Sequence, residues 1–334
     1  MPDDVSASLL RQVEDLAAEA RWPEVGELLE SRPPEEVLAA DGLAYLYGQA
    51  LYHLGRASEL REFAARYEES ARRAASTGGV MRALNLAGVA AFELGATAEA
   101  ESRFDALMEL AAAEKSREMM APAANNLGAL ANLKGRRMEA LSYYNLAVAL
   151  YEKLGDVRGL ARVFQNQGMS FRDLDRLEDS IGAFQSASEL ARTFGFTSVV
   201  AMAVVGRGEV ELRRGDSDLA WRLAEHGLEL AREIGDPVSE GVALRVRGLA
   251  TADRAPDDVQ DARRDLTEAG RLAEEADHAL LAAEVSRDLG RLLLRAGESE
   301  PAVPYLRDAV RRFEAIGAVA EVRALTEELD ALTG

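Results

Sequence analysis

The chain has 334 residues, a formal net charge of −19 and no cysteine. An acidic balance of this size excludes a general affinity for nucleic acid or an anionic membrane face, since both need a basic surface. The missing cysteines exclude disulfides, thiolate metal sites and cysteine nucleophiles. Length alone suggests about two ordinary domains, unless the chain is an array that grows by stacking.

The first segment, MPDDVSASLLRQVEDLAAEA, carries acids where a secretory signal has basic residues, and it lacks an uninterrupted apolar core. No window approaches the roughly 18 consecutive apolar residues of a membrane span, so a soluble, cytoplasmic protein is expected. Residues 4–31 read as a short helical pair turning near Arg21 and Trp22, and SRPPEEV then starts a new element with prolines. From residue 40 to 317 the chain repeats itself. Gly48, Gly88, Gly128, Gly168, Gly208 and Gly248 recur every 40 residues, and Gly290 follows after 42, the extra residues forming a turn insertion around Pro256. Seven residues beyond each glycine stand Gly55, Gly95, Gly135, Asp175, Gly215, Ala255 and Gly297. Small residues lie 12 beyond (Ala100, Ala140, Ser180, Ala220), large ones 16 beyond (Phe104, Tyr144, Phe184, Leu306), and further glycines 27 beyond (Gly155, Gly195, Gly235, Gly317). Residues 318–333 place Val322, Leu325, Leu329 and Leu332 on one stripe, as a terminal capping helix requires.

Each mark has a physical reading. The first glycine sits mid-helix, at a cost of about 1 kcal/mol against alanine, which is tolerable where another backbone must come close. The second and fifth end helices by taking a positive φ, and Asp156 and Asp236 then stand as N-caps of the next helix. The small residue lets helices pack tightly, and the aromatic fills the space between them. Apolar residues such as Leu146, Val148, Leu150 and Leu154 recur at helical spacing, and no stretch alternates as a strand does. The unit is therefore helix, tight turn, helix.

This pattern resembles the tetratricopeptide repeat, with its small residue at position 8, small at 20, aromatic at 24 and small at 27. Gly128, Ala140, Tyr144 and Ala147 match it best, followed by Gly168, Ser180, Phe184 and Ala187. The 40-residue period, against the common 34, looks like that of kinesin light chains and of bacterial regulators with long second helices. Outer copies depart from it, with Leu60 at position 20 of the first and Ala224 at position 24 of the fifth. The resemblance implies an all-α, right-handed superhelical α-solenoid of about seven to eight helix pairs with a C-terminal capping helix. It further implies a concave groove lined by first helices, and a pitch that is soft because each repeat meets only its neighbours in sequence.

Within a first helix, positions 5, 9 and 12 share a face. They place Tyr45, Tyr52, Asn85, Phe92, Asn125, Asn132, Gln165 and Met169 toward the groove. Asn85, Asn125 and Gln165 form a ladder of amides, each able to match the N–H and C=O of an extended peptide, while Asn126 at position 6 is expected to bond between helices. Toward the C-terminal end, Arg245, Arg287 and Arg291, with Arg295, suggest a seat for an acidic guest segment, unless Glu209, Glu284, Asp288 and Asp253 neutralise them. His53, His226 and His278 have no ligand spacing, no phosphate loop is present, and no carboxylate pair is singled out as an acid/base couple. Neither a metal, a cofactor nor an enzymatic activity is expected. The reading is an adaptor that holds a peptide or protein segment in its groove; the alternative is a sensor whose superhelix responds to a signal peptide or small ligand.

Overall fold

A computed structural model describes residues 2–255 and 259–333, with side chains from residue 8 to 332, and all regular structure among them is helical. Three helices open the chain: α1 (Pro2–Ala18), α2 (Trp22–Glu30) and the short α3 (Pro34–Ala39). Seven helix pairs follow: α4 (Asp41–His53) with α5 (Ala57–Arg73), α6 (Thr77–Glu93) with α7 (Thr97–Ala113), α8 (Arg117–Leu133) with α9 (Arg137–Leu154), and α10 (Val157–Asp173) with α11 (Leu177–Thr193). The series continues with α12 (Thr197–Arg214) and α13 (Ser217–Ile234), α14 (Pro237–Arg254) and α15 (Gln260–Glu275), α16 (Ala279–Arg295) and α17 (Ser299–Ala315), and closes with α18 (Val319–Thr333). Consecutive helices pack on one another, and each first helix from α4 to α14 also packs on the next first helix, as an α-solenoid requires. The insertion read around Pro256 lies outside the described residues.

The helix ends follow from local chemistry. Gly155 closes α9 in the left-handed region at φ 67°, and Asp175 adopts the same region at φ 59° in a turn where most copies use glycine. Asp tolerates this conformation better than most side chains because its short carboxylate bonds locally. The Asp156 carboxylate accepts the Gly159 N–H at 2.9 Å, and that of Asp236 accepts those of Val238 and Ser239 at 3.1 and 3.0 Å. Both act as the N-caps read from the sequence.

The mid-helix glycines make room, but not always for backbone. A Cβ on Gly128 would lie 2.5 Å from the Tyr144 ring, and one on Gly168 2.8 Å from Phe184. Where position 24 holds Ala224, the backbone comes in instead, and the Ala220 carbonyl stands 3.3 Å from a Cβ on Gly208. Phe104, Tyr144 and Phe184 are buried between their helices. Ser180 at position 20 does more than stay small: its hydroxyl donates to the Gly168 carbonyl at 2.7 Å inside the core. Leu146, read as part of an apolar stripe, is 41% exposed on the outer wall. At the C-terminal end Leu325 is buried and Val322 and Leu329 pack beside it, while Leu332 remains exposed.

The superhelix closes on itself, which corrects the expectation that each repeat meets only its sequence neighbours. The Ser58 hydroxyl donates to the Asp277 carboxylate at 2.6 Å, and His278 Nε2 stands 3.1 Å from the Glu93 carboxylate. Gly95 in the α6–α7 turn lies against Ile316 and Ala279, and the Arg158 guanidinium points at the Ala18 carbonyl, 3.5 Å away. Segments about three and a half to five and a half repeats apart therefore form a seam, and the space inside is partly closed.

Candidate functional site

The inner space is a partly open cavity of about 430 Å3. Its wall comes mainly from the first helices α4, α6, α8 and α10, with the starts of α12 and α14 closing it. Six of the residues assigned to the groove line it: Tyr45, Tyr52, Asn85, Phe92, Asn125 and Gln165. Asn132, Met169, Arg245, Arg287 and Arg291 do not. Met169 packs beside the apolar cluster around Phe184, and Asn132 bonds the Ser170 hydroxyl at 2.8 Å and the Asp173 carboxylate at 3.3 Å.

The amides do not form a free ladder. Asn85 and Asn125 are buried, 7% and 5% exposed, and are held by position 6 of the following repeat. Asn126 donates to Asn85 and Asn166 donates to Asn125, both at 2.9 Å, while the Asn125 amide reaches Asn126 at 3.3 Å. The same register recurs with other chemistry farther along. Val205 and Val246 share one apolar cluster, and Arg245 donates to Asp288 at 2.7 Å. Adjacent first helices thus lock through a rung from position 5 to the next position 6. One rung is missing. Gln165 faces Gly206, which has no side chain and whose Cβ position is taken by the Phe184 ring. Among the described residues the Gln165 amide has no hydrogen-bond partner, and it opens into the cavity.

The arginines expected to form an open basic seat are neutralised within the chain. Arg245 is 5% exposed and pairs with Glu209 at 2.7 Å, Asp288 at 2.7 Å and Glu284 at 3.3 Å. Arg172 pairs with Asp173 and Glu209, Arg287 with Asp288 and Glu321, Arg291 with Glu328, and Arg295 with Asp253. Burial alone would raise the Asp288 carboxyl, but Arg287 and Arg245 outweigh it and hold it at about 2. Desolvated guanidinium groups such as those of Arg172, Arg245 and Arg287 need partners, and their own helix, neighbouring first helices and α18 supply them. This is an internal brace, with no free charge to receive an acidic guest.

The unpaired charge lies elsewhere. Arg158, Arg162 and Gln165 follow one another on α10 at spacings of four and three, and all three line the cavity. Arg158 stacks over the Phe196 ring, 4.4 Å from its centroid. Arg162 is exposed to the cavity and, among the described residues, makes no hydrogen bond or ion pair. It sits at position 2, three residues before position 5, so helical spacing alone would have placed it on the groove face had that position been read.

The opposite pole is acidic and lies at the seam. Burial pushes the Glu93 carboxyl up, opposed by His278 and reinforced by Asp236; burial also pushes Asp236 up, against the hydrogen bonds from Ser239 and Val238. His278 Nδ1 accepts the Leu281 N–H at 3.1 Å, which leaves Nε2–H to donate to Glu93. Burial raises the Tyr52 hydroxyl, with Glu93 raising it further and Arg162 lowering it. His53, stacked on Trp22 with centroids 4.3 Å apart, is pushed down to about 3 by burial and by Arg162 and Arg158, and is neutral. Sequence spacing had no means of finding the Glu93–His278 pair, because only the closure of the superhelix brings the two together.

This arrangement of helix pairs stacked through their first helices, with a concave inner face, defines a tetratricopeptide-repeat solenoid. The sequence agrees over part of its length: residues 119–193 match the tetratricopeptide repeat family, so this stretch carries the repeats in its sequence as well as in its fold. The fold is shared with a Rap protein complexed with competence and sporulation factor (TM-score 0.64, 12% identity, covering 98% of this chain and 97% of that one). It is likewise shared with the Rap conjugation gene regulator of the plasmid pLS20 in complex with a Phr peptide (0.65, 15%, 84% and 76%). A third similar structure is NprR in complex with its cognate peptide NprX (0.59, 14%, 83% and 86%). At these identities the likeness is one of fold. No curated protein matches the chain by sequence.

Proposed function

We propose that the protein is a non-enzymatic module that binds a peptide inside the solenoid. The observation that carries this reading is the α10 face, where Gln165 offers an amide with no partner among the described residues to a cavity also lined by Tyr45, Tyr52 and Phe92. An unpaired amide both donates and accepts, and the aromatic rings supply apolar contact beside it. Three solenoids of the same fold are recorded with bound factors or peptides, which supports the reading without fixing the guest. Gln165→Leu removes the free amide without breaking a rung. It should weaken retention of a random short-peptide pool on the immobilised protein about fivefold, the worth of roughly one net hydrogen bond, with helicity by circular dichroism unchanged. Retention equal to wild type would remove the basis of the proposal.

A sensory role is favoured over a passive adaptor by one feature: Glu93 and His278 belong both to the cavity wall and to the seam. A guest contacting them acts on the joint between successive superhelical turns. Guest binding should therefore change the radius of gyration in solution scattering, whereas a rigid adaptor would keep it constant.

A further inference from the structure

We propose that the seam is a proton-operated latch: Glu93 takes up a proton as the superhelical turns close and gives it up as they part, so the superhelix shuts toward acid and loosens toward alkali. The latch belongs to the seam and works whether or not the cavity holds a guest.

Three helix ends meet there. Glu93 is the last residue of α6, while Asp236 and His278 are the N-caps of α14 and α16. His278 Nε2 stands 3.1 Å from the Glu93 carboxylate, and the two side chains are only 16% and 15% exposed. Apolar contacts flank the joint, with Gly55 against Ala276 and Pro237, and Gly95 against Ile316 and Ala279. A carboxylate brought into such a joint loses water and needs donors. Asp236 has three, the N–H groups of Val238 and Ser239 and the Ser239 hydroxyl at 2.7 Å. Glu93 has, among the described residues, His278 alone. His278 is a poor seat for the proton. Its Nδ1 accepts the Leu281 N–H, and a protonated imidazole has no acceptor, so α16 would lose its cap. A proton on Glu93 breaks nothing. The remaining carbonyl oxygen still accepts from Nε2–H, and the repulsion between Glu93 and Asp236 disappears.

The other charges around the joint are engaged elsewhere. In the α15–α16 turn Glu274 pairs with Arg312, Glu275 with Arg271, and Asp277 accepts from Ser58. At the start of α5 Glu59 pairs with Arg56, at the start of α7 Glu99 pairs with Arg61, and beside α14 Arg232 pairs with Glu240. On α18 Glu321 pairs with Arg287. Across the cavity Asp156 caps α10 and Glu118 accepts from Ser116 at 3.2 Å, while Arg158 and Arg162 bear on His53 and lower it. Burial lifts the Glu93 carboxyl above its usual 4.5, His278 opposes the rise and Asp236 adds to it. The closed seam therefore holds the proton more tightly than an open one in which Glu93 faces water. Closing carries no such cost below pH 4.5; the cost grows as pH rises from there and is complete above the raised value.

The chain has no cysteine, so Glu62→Cys on α5 and Glu275→Cys on α15 give the full-length protein two sites for spin labels that flank the seam. Double electron–electron resonance reads their separation at about pH 5.5 and about pH 8.5. The ratio of long-distance to short-distance populations should rise at least about tenfold from the lower to the higher pH, as a tenfold tighter hold on one proton requires. Glu93→Gln keeps the carbonyl acceptor without the charge and should stay closed at both. Asp236→Asn keeps an N-cap, removes the like charge and should diminish the response. Circular dichroism checks that each variant folds. Equal populations in wild type at both pH values, opening toward acid, or a full response in Glu93→Gln overturns the latch. If Glu93→Gln does not fold, Asp236→Asn decides, and an undiminished response there overturns it as well.

Discussion

Single residues in this chain act through the space they leave or the proton they refuse. Gly128 leaves room for the Tyr144 ring, which is buried against it. Gly128→Ala gains about 1 kcal/mol of helix propensity but forces the ring to move, at a cost of about 1–3 kcal/mol. Urea unfolding should show a net loss, and a gain would mean that Tyr144 has slack. His53 refuses a proton: its pKa falls from the usual 6.5 to about 3 in the folded chain. Because the folded value is depressed, the unfolded state takes up the proton first. The stability is complete above pH 6.5 and drains away as pH falls toward 3. By pH 5 the loss should be roughly 1–2 kcal/mol. His53→Phe, which keeps an aromatic on Trp22, should flatten the profile of unfolding midpoint against pH between 7 and 5; an unchanged profile would place the titrating group elsewhere.

At the scale of elements, adjacent first helices are joined by one rung whose chemistry changes along the array: amide on amide, then an empty rung at Gln165 and Gly206, then valine on valine, then arginine on aspartate. The charged rung is the costliest to break. Arg245→Ala leaves Glu284 without its ion-pair partner and takes one of two arginines from Asp288 and Glu209, which keep Arg287 and Arg172, and should lower stability by about 3 kcal/mol. Gln165→Leu at the empty rung should leave stability within about 0.5 kcal/mol of wild type, as a substitution that breaks no bond. Asp288 also sets an acid limit. Its pKa is lowered from 3.8 to about 2, so its contribution is full above pH 4 and is lost as pH falls toward 2. In Arg245→Ala, thermal melts at pH 5 and pH 3 should differ less than in wild type.

The whole molecule is braced where its superhelical turns meet, and this sets its mechanics. Ser58 and Asp277 touch across 219 residues of sequence. The chain has no cysteine of its own, so Ser58→Cys with Asp277→Cys introduces the sole pair of thiols. A short bismaleimide should link them within one chain, and solution scattering should give the same radius of gyration as wild type. An expanded wild-type profile with no link formed would mean that the seam opens in solution.

The forty-residue rhythm dictated the helix pairs, their turns, the caps at Asp156 and Asp236 and the groove face of the first helices. Those features depend on spacing and backbone conformation, both written locally. Even Arg162 was within reach, three residues from Gln165 on the same helix. The sequence did not reveal which polar groups remain unpaired, since that depends on what each side chain meets in the next repeat: Asn126 occupies Asn85, Asp288 occupies Arg245, and Gly206 leaves Gln165 alone. Nor did it reveal the acidic pole, because Glu93 and His278 meet across the seam, and small rotations accumulated over several repeats decide which distant turns come into contact.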